Sequence, residues 1–160
     1  MSKTEQENPF GFDPEMDVDR LYRRSLTARQ EHNQWRNPNL VSRKWGTYEV
    51  LTRRKNWVVK ILTILPQKSI SLQKHQYRTE RWLLLEGEGI YASNYDGMTK
   101  ITGRKKVKGA TIFIPLNTWH WIKNTSDNES LIILETWFGE KLEESDIERK
   151  EDESEIIIPE

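Results

Sequence analysis

The chain contains no cysteine, which excludes disulfides, thiolate metal sites and cysteine nucleophiles. It has only three histidines, His32, His75 and His120, so any imidazole chemistry is confined to those positions. No stretch approaches the roughly 20 consecutive apolar residues that a membrane-spanning helix needs. Residues 1–8 are polar and lack the apolar stretch of a secretory signal. The expectation is a soluble, cytoplasmic protein with no membrane partner. Net charge is also missing: 25 Lys and Arg balance 25 Asp and Glu.

What is present is unevenly spread. Residues 43–108 hold 15 basic against 5 acidic side chains, whereas residues 141–160 hold 3 against 9. A basic middle favours an anionic ligand such as a phosphate ester, or else simply solvates strand faces. Nucleic acid is not expected, because no recognition helix or stacking motif accompanies the charge. A length of 160 residues suits one core, and seven Trp supply much of its apolar area.

Three regions differ in texture. In residues 1–42, Asp13-Pro14 makes a helix start, and Val18, Leu21, Tyr22 and Leu26 recur at helical spacing before Asn37-Pro38. This reads as a partly helical N-terminal arm. Residues 43–140 are a succession of short β runs: 47–51, 57–65, 70–73, 82–85, 90–93, 100–102, 111–114, 119–122 and 131–137. Gly87-Glu88-Gly89 and Tyr95-Asp96-Gly97 supply turns. Many short strands without helical spacers predict an all-β sandwich or barrel. Residues 141–160 form an acidic tail, with a helical turn expected over 145–149. Ile156-Ile157-Ile158 is too apolar to be free and suits an edge strand of this barrel or of a neighbour's.

Two segments concentrate the chemistry. In Ser71–Trp82, Gln73 and His75 are two apart and share a strand face, and Glu80 returns to that face a turn later. In Gly109–His120, His120 opens a strand after a proline-containing turn. Two imidazoles, a carboxylate and an amide oxygen suit a divalent metal with open positions.

These segments resemble the two cupin signatures. The first appears as Gln73, His75, Glu80 and Gly87, and the second as Gly109, Pro115, Asn117, His120 and Asn124. Asn117 replaces a glycine and is the non-glycine residue best suited to a left-handed turn. Within cupins the chain is most similar to the type II mannose-6-phosphate isomerase domain, usually found attached to a mannose-1-phosphate guanylyltransferase. The likeness covers Arg43–Val50, Ser71–Gln73, Arg78–Trp82, Ile114-Pro115 and Glu144–Arg149. The family's usual histidines at positions 76, 77 and 81 are Gln76, Tyr77 and Arg81 here, and its usual glycine at 67 is Gln67.

The resemblance implies a cupin double-stranded β-helix, or jelly-roll barrel, holding a metal on Gln73, His75, Glu80 and His120. Zn²⁺ is the expected ion, with Mn, Fe, Co or Ni compatible with the same ligands. It implies an isomerase interconverting mannose 6-phosphate and fructose 6-phosphate through an enediol, with the proton-moving base unassigned. Arg78 matches the family's arginine between the ligands and would stabilise the enediolate or grip phosphate, unless it only pairs with Glu49 or Glu80. Lys60 matches a lysine on the family's early strand and is with Arg78 a candidate catalytic residue; it alternates with Leu62 and Ile64 and so would point into the barrel or reach its mouth. Tyr77 and Trp82 are further mouth residues, and Trp119 and Trp121 read as wall or interface. A non-catalytic cupin binding a sugar, metal or protein is the alternative. An Fe(II) oxygenase is a third reading, and homodimerisation through Ile156–Ile158 or the arm is compatible with either.

Overall fold

A computed structural model describes residues 37–94 and 100–159. The expected N-terminal helix and the Tyr95-Asp96-Gly97 turn lie outside these residues. The described chain is all-β, with no helix and twelve strands in two six-stranded sheets. One sheet is ordered β1 (Leu40–Arg43), β2 (Gly46–Arg53), β3 (Trp57–Ile64), β10 (Leu131–Gly139), β5 (Arg78–Glu86) and β8 (Thr111–Ile114). The other is ordered β11 (Glu148–Lys150), β4 (Leu72–Lys74), β9 (His120–Asn124), β6 (Glu88–Ser93), β7 (Ile101–Val107) and β12 (Ile156–Ile157).

Alternation along the three central strands of the first sheet explains how the barrel is divided. Every second residue of β3, β10 and β5 is buried, as a period of two requires when one face covers a core. Registers set these residues in layers. Leu131 pairs with Ile64, and Ile133 pairs with both Leu62 and Leu84. The next layer is Lys60, Glu135 and Trp82, and beyond it Trp137 pairs with Val58 and Glu80. One end of the barrel is therefore aliphatic and the other carries charge.

The aliphatic end joins both sheets, because Ile70, Tyr91 and Ile122 of the second pack with Leu62, Leu84, Ile112, Leu131 and Ile133 of the first. Each fully buried Leu or Ile there is worth about 1.5–3 kcal/mol. A second apolar cluster, Leu72, Ala92, Ile101 and Trp121, lies on the second sheet and is covered by Ile156. Ile156–Ile157 pairs in parallel with β7, so this apolar segment closes an edge of its own barrel.

Turn chemistry matches the substitutions in the signatures. Asn117 adopts a left-handed φ of 55°, and Gln67 adopts 58° where the family usually has glycine. Gly87 has φ of 79°, and a Cβ there would stand 2.9 Å from the Ser130 carbonyl oxygen. Asn124 is a structural anchor: its buried amide donates to the carbonyls of Ile64 (2.9 Å) and Glu129 (2.8 Å).

The tail departs from expectation. The helical turn over 145–149 is absent: residues 144–145 form a turn, and Glu148 and Arg149 enter β11, which pairs with β4. Three successive charged residues carry no alternation, and the edge position of the strand leaves Glu148 and Arg149 exposed to water and Lys150 partly so.

Candidate metal centre

His75, Glu80 and His120 converge from three places: the turn after β4, the inward face of β5 and the first residue of β9. All three are buried, and their ligand atoms lie within 4.8 Å of one another. His75 Nδ1 is 2.7 Å from the carbonyl oxygen of Asp146, and His120 Nδ1 is 2.9 Å from that of Thr118. A carbonyl only accepts, so each Nδ1 carries hydrogen and each Nε2 faces Glu80. His75 Nε2 is 3.0 Å from Glu80 Oε1, and His120 Nε2 is 3.6 Å from Glu80 Oε2.

Neutral imidazoles would here aim lone pairs at a carboxylate. Either a proton or a cation must lie between them. His120 Nε2 is moreover a buried nitrogen with no hydrogen-bond partner, which is costly unless it has a ligand. Burial pushes the His120 imidazole down to about 4, against the opposing pull of Glu80. Burial would raise the Glu80 carboxyl, but the His75 hydrogen bond and the charges of His75, His120 and Arg78 hold it well below the ordinary range. An anionic carboxylate with two δ-protonated histidines is a donor set that fits a divalent metal with open positions.

Gln73 is opposite His120 in the β4–β9 register, half-buried on the cavity wall, with its Oε1 accepting from Ser71 Oγ at 3.1 Å. Arg78 is buried. Its Nε donates to Glu80 Oε1 at 3.0 Å, a second guanidinium nitrogen lies 3.3 Å from His75 Nε2, and the plane sits 3.6 Å over Trp137. Of its two expected pairings, the one with Glu80 is formed. Lys60 does point inward, buried against Trp137 (3.5 Å) and Tyr48 (4.4 Å), with its ammonium bonded to Glu144. Burial lowers its pKa.

The aromatic expectations divide. Tyr77 is half-exposed and lines a separate cleft, and Trp82 is buried in the barrel instead of at its mouth. Trp121 packs in the second apolar cluster and Trp119 beside it, which is a wall role.

Two residues at the centre were not singled out by sequence. Asp146 accepts from the backbone N–H of Gln76 (2.9 Å) and Tyr77 (3.0 Å), while its carbonyl also accepts from Arg78 at 3.1 Å. It thereby fixes the turn that carries His75. Glu135 is buried on β10 and accepts from the Trp82 indole at 3.0 Å; the same N–H lies 3.2 Å from Glu80 Oε2. Burial, then the nearby Glu80 charge, pushes the Glu135 carboxyl up to about 8. Its inward position was readable from the spacing of Leu131, Ile133, Glu135 and Trp137; Asp146 fell within the Glu144–Arg149 segment of the resemblance, with no role assigned to it.

Beside the cluster is a cavity of about 390 Å³, lined by Gln73, Lys60, Arg78 and Glu135, with Arg43 and Arg149 also on its wall; His75, Glu80 and His120 lie behind that lining.

Comparison with known proteins places this arrangement. Residues 28–152 match the family described as mannose-6-phosphate isomerase C-terminal. The chain is 32% identical over 125 residues to the mannose-1-phosphate guanylyltransferase ManC of Salmonella typhimurium, covering 78% of this chain and 24% of that protein. It is 31% identical over 112 residues to the alginate biosynthesis protein AlgA of Pseudomonas putida, covering 70% and 22%. The chain thus spans about a quarter of the length of these relatives. The capsular polysaccharide assembling protein CapF of Staphylococcus aureus superposes with a TM-score of 0.59 at 17% identity, covering 71% of this chain and 32% of that one. Oxalate decarboxylase of Bacillus subtilis superposes at 0.60 and 15%, covering 69% and 29%. Those two likenesses establish the cupin fold alone. With its family pattern matched from residue 28 to 152, the chain belongs to the mannose-6-phosphate isomerase C-terminal family of cupins.

Proposed function

We propose that this cupin is a metal-dependent aldose–ketose isomerase acting on a sugar phosphate, interconverting mannose 6-phosphate and fructose 6-phosphate. The observation that carries the reading is the buried His75–Glu80–His120 cluster, with its unpartnered His120 Nε2, beside a cavity walled by Lys60 and Arg78. Gln73 would complete the ligand set from β4. Zn²⁺ suits these nitrogen and oxygen donors, as do Mn, Fe, Co and Ni. A divalent ion so held supplies Lewis acidity towards the sugar's oxygens.

The chain's own residues supply the rest. Arg78 holds Glu80 in its anionic form and keeps His75 in place. Lys60 offers a desolvated ammonium to an anionic oxygen of the substrate, exchanging Glu144 for it. Arg43 and Arg149 give the wall a positive charge suited to a phosphate monoester. The family histidines missing at positions 76, 77 and 81 do not weaken this reading. Gln76, Tyr77 and Arg81 are exposed, so a histidine at those positions on this backbone would face solvent.

A coupled assay of metal-loaded protein with mannose 6-phosphate, beside His75→Ala, tests the proposal. Turnover that needs both metal and His75 supports it. Absence of turnover in a protein holding one equivalent of metal would favour the alternative, a non-catalytic cupin.

A further inference from the structure

The cavity beside the candidate metal cluster carries more positive charge than nearby carboxylates neutralise. Of the cations lining it, Lys60 is bonded to Glu144, and Arg78 is bonded to Glu80 behind the wall. Arg43, Lys44 and Arg149 line it too, and none of the three forms an ion pair among the described residues. All three are exposed, whereas Lys60 and Arg78 are buried, so the uncompensated cations stand at the cavity's mouth.

The fold brings them together from the edges of both sheets. Arg43 ends β1, the outermost strand of the first sheet, and Lys44 follows it in the tight turn to β2. Arg149 lies on β11, the outermost strand of the second sheet, opposite Gln73 of β4. Neutral partners hold both arginines. Arg43 donates to the Ser42 carbonyl at 3.1 Å and lies 3.4 Å from the Tyr48 hydroxyl, and Arg149 Nε donates to Ser71 Oγ at 3.2 Å. These bonds orient the guanidinium groups without neutralising them, and the Nη atoms of Arg149 make no hydrogen bond among the described residues. Like charges gathered at one opening repel, and an anion seated between them removes the repulsion.

A phosphate monoester suits this opening, because it carries close to two negative charges near neutral pH and offers three acceptor oxygens. Arginine forks take such oxygens in pairs, and lysine adds a point charge. On the same wall, Trp45 and Tyr48 are half-buried against the aliphatic core. Sites for small organic ligands combine an apolar, aromatic wall with a few polar anchors, and 390 Å³ lies in their usual range.

We propose that Arg43, Lys44 and Arg149 clamp the phosphate of a sugar phosphate at the mouth of this cavity, with the sugar ring against Trp45 and Tyr48. The ligand class rests on the reading above. The binding itself does not pass through the cluster, because His75, Glu80 and His120 lie behind the lining. The clamp therefore holds its ligand in metal-free protein as well.

The test is isothermal titration calorimetry of the chelator-treated full chain with mannose 6-phosphate, inorganic phosphate and mannose. Mannose 6-phosphate should bind at one equivalent and more tightly than either of the others. Arg43→Ala and Arg149→Ala should each weaken it by about 10-fold, the lower range for losing a hydrogen bond to a charged group. Arg149→Lys keeps the charge without the fork and should recover part of that loss. Lys108→Ala removes an exposed charge that does not line the cavity, and should leave binding unchanged. An equal loss in Lys108→Ala would overturn the clamp in favour of diffuse surface charge. Wild-type affinity in both arginine variants, or binding that appears only with metal, would overturn it too. Inorganic phosphate bound as tightly as mannose 6-phosphate would overturn the sugar's place on the aromatic wall. The isomerase reading fails separately: a wild type that binds mannose 6-phosphate without turning it over keeps the clamp and loses the isomerase. Turnover with the same KM in both arginine variants does the reverse.

Discussion

Arg78 and Glu80 are bonded across one face of β5, Nε to Oε1 at 3.0 Å, with both side chains buried. The guanidinium also holds the carbonyls of Glu143 and Asp146 at 3.0 and 3.1 Å. One arginine thus ties the central carboxylate to the segment that orients His75. In metal-free protein it helps to keep a buried anion charged.

Replacing Arg78 by alanine leaves Glu80 with less positive charge in a dry site. The expected cost in metal-free protein is about 3–5 kcal/mol, the range for removing one partner of a buried pair. A bound divalent cation supplies the missing charge, so the loss should shrink with metal. Urea midpoints with chelator and with one equivalent of metal check this. Equal losses in both forms would show that charge compensation is not Arg78's part.

Asp146→Ala addresses the support of His75. The substitution frees the N–H groups of Gln76 and Tyr77 and loosens the turn carrying the imidazole. Partners that orient a metal ligand typically contribute 10–100-fold in affinity, and a loss of about that size is expected. Competition titration against a chelator measures it. An unchanged affinity would mean that the Asp146 carboxylate does not position the ligand.

Much of this arrangement was legible beforehand, for physical reasons that also explain the gaps. Short apolar runs marked β3, β10 and the second half of β5, and alternation with Leu62 and Ile64 set Lys60 inward or at the mouth, of which the structure has the inward position. The convergence of the candidate ligands His75, Glu80 and His120 was legible through the spacing of the two signatures, which fixes register around the tight turns. β1 and β11 were missed. They are edge strands of four and three residues without a buried face to impose alternation. Asp146 lay in the matched segment Glu144–Arg149, but its role was illegible because it depends on backbone N–H groups about 70 residues away, and no local pattern encodes such a pairing. Glu135 was visible as an inward position in an apolar run, yet its partners, Trp82 and Lys60, come from other strands.

The left-handed residue at position 117 permits a test of turn chemistry. Its backbone N–H donates to the carbonyl of His75 at 2.7 Å, so the turn abuts the candidate metal centre. A β-branched side chain tolerates a φ of 55° poorly. Asn117→Val should destabilise by about 1–2 kcal/mol, whereas Asn117→Gly should change stability by less than about 1 kcal/mol. Denaturant midpoints compare the two. A valine variant as stable as the glycine one would show that the conformation is not demanded at this position.

Tyr91 gives a pH dependence whose sign follows from burial. Its ring packs edge-on against Trp82, 5.9 Å between centroids, and desolvation pushes its hydroxyl up to about 12. The unfolded tyrosine ionises near 10. Between about pH 10 and 12 the folded state therefore keeps a proton that the unfolded state has released, and stability falls as pH rises. Below pH 10 both states are protonated, and Tyr91 adds no slope. Tyr91→Phe lacks this contribution, so its stability should decline less steeply over that window although every other group still titrates. Urea midpoints of both proteins at pH 9.5 and 11.5 isolate the difference. Parallel declines would mean that Tyr91 titrates as an exposed phenol and that water reaches the barrel's interior beside Trp82.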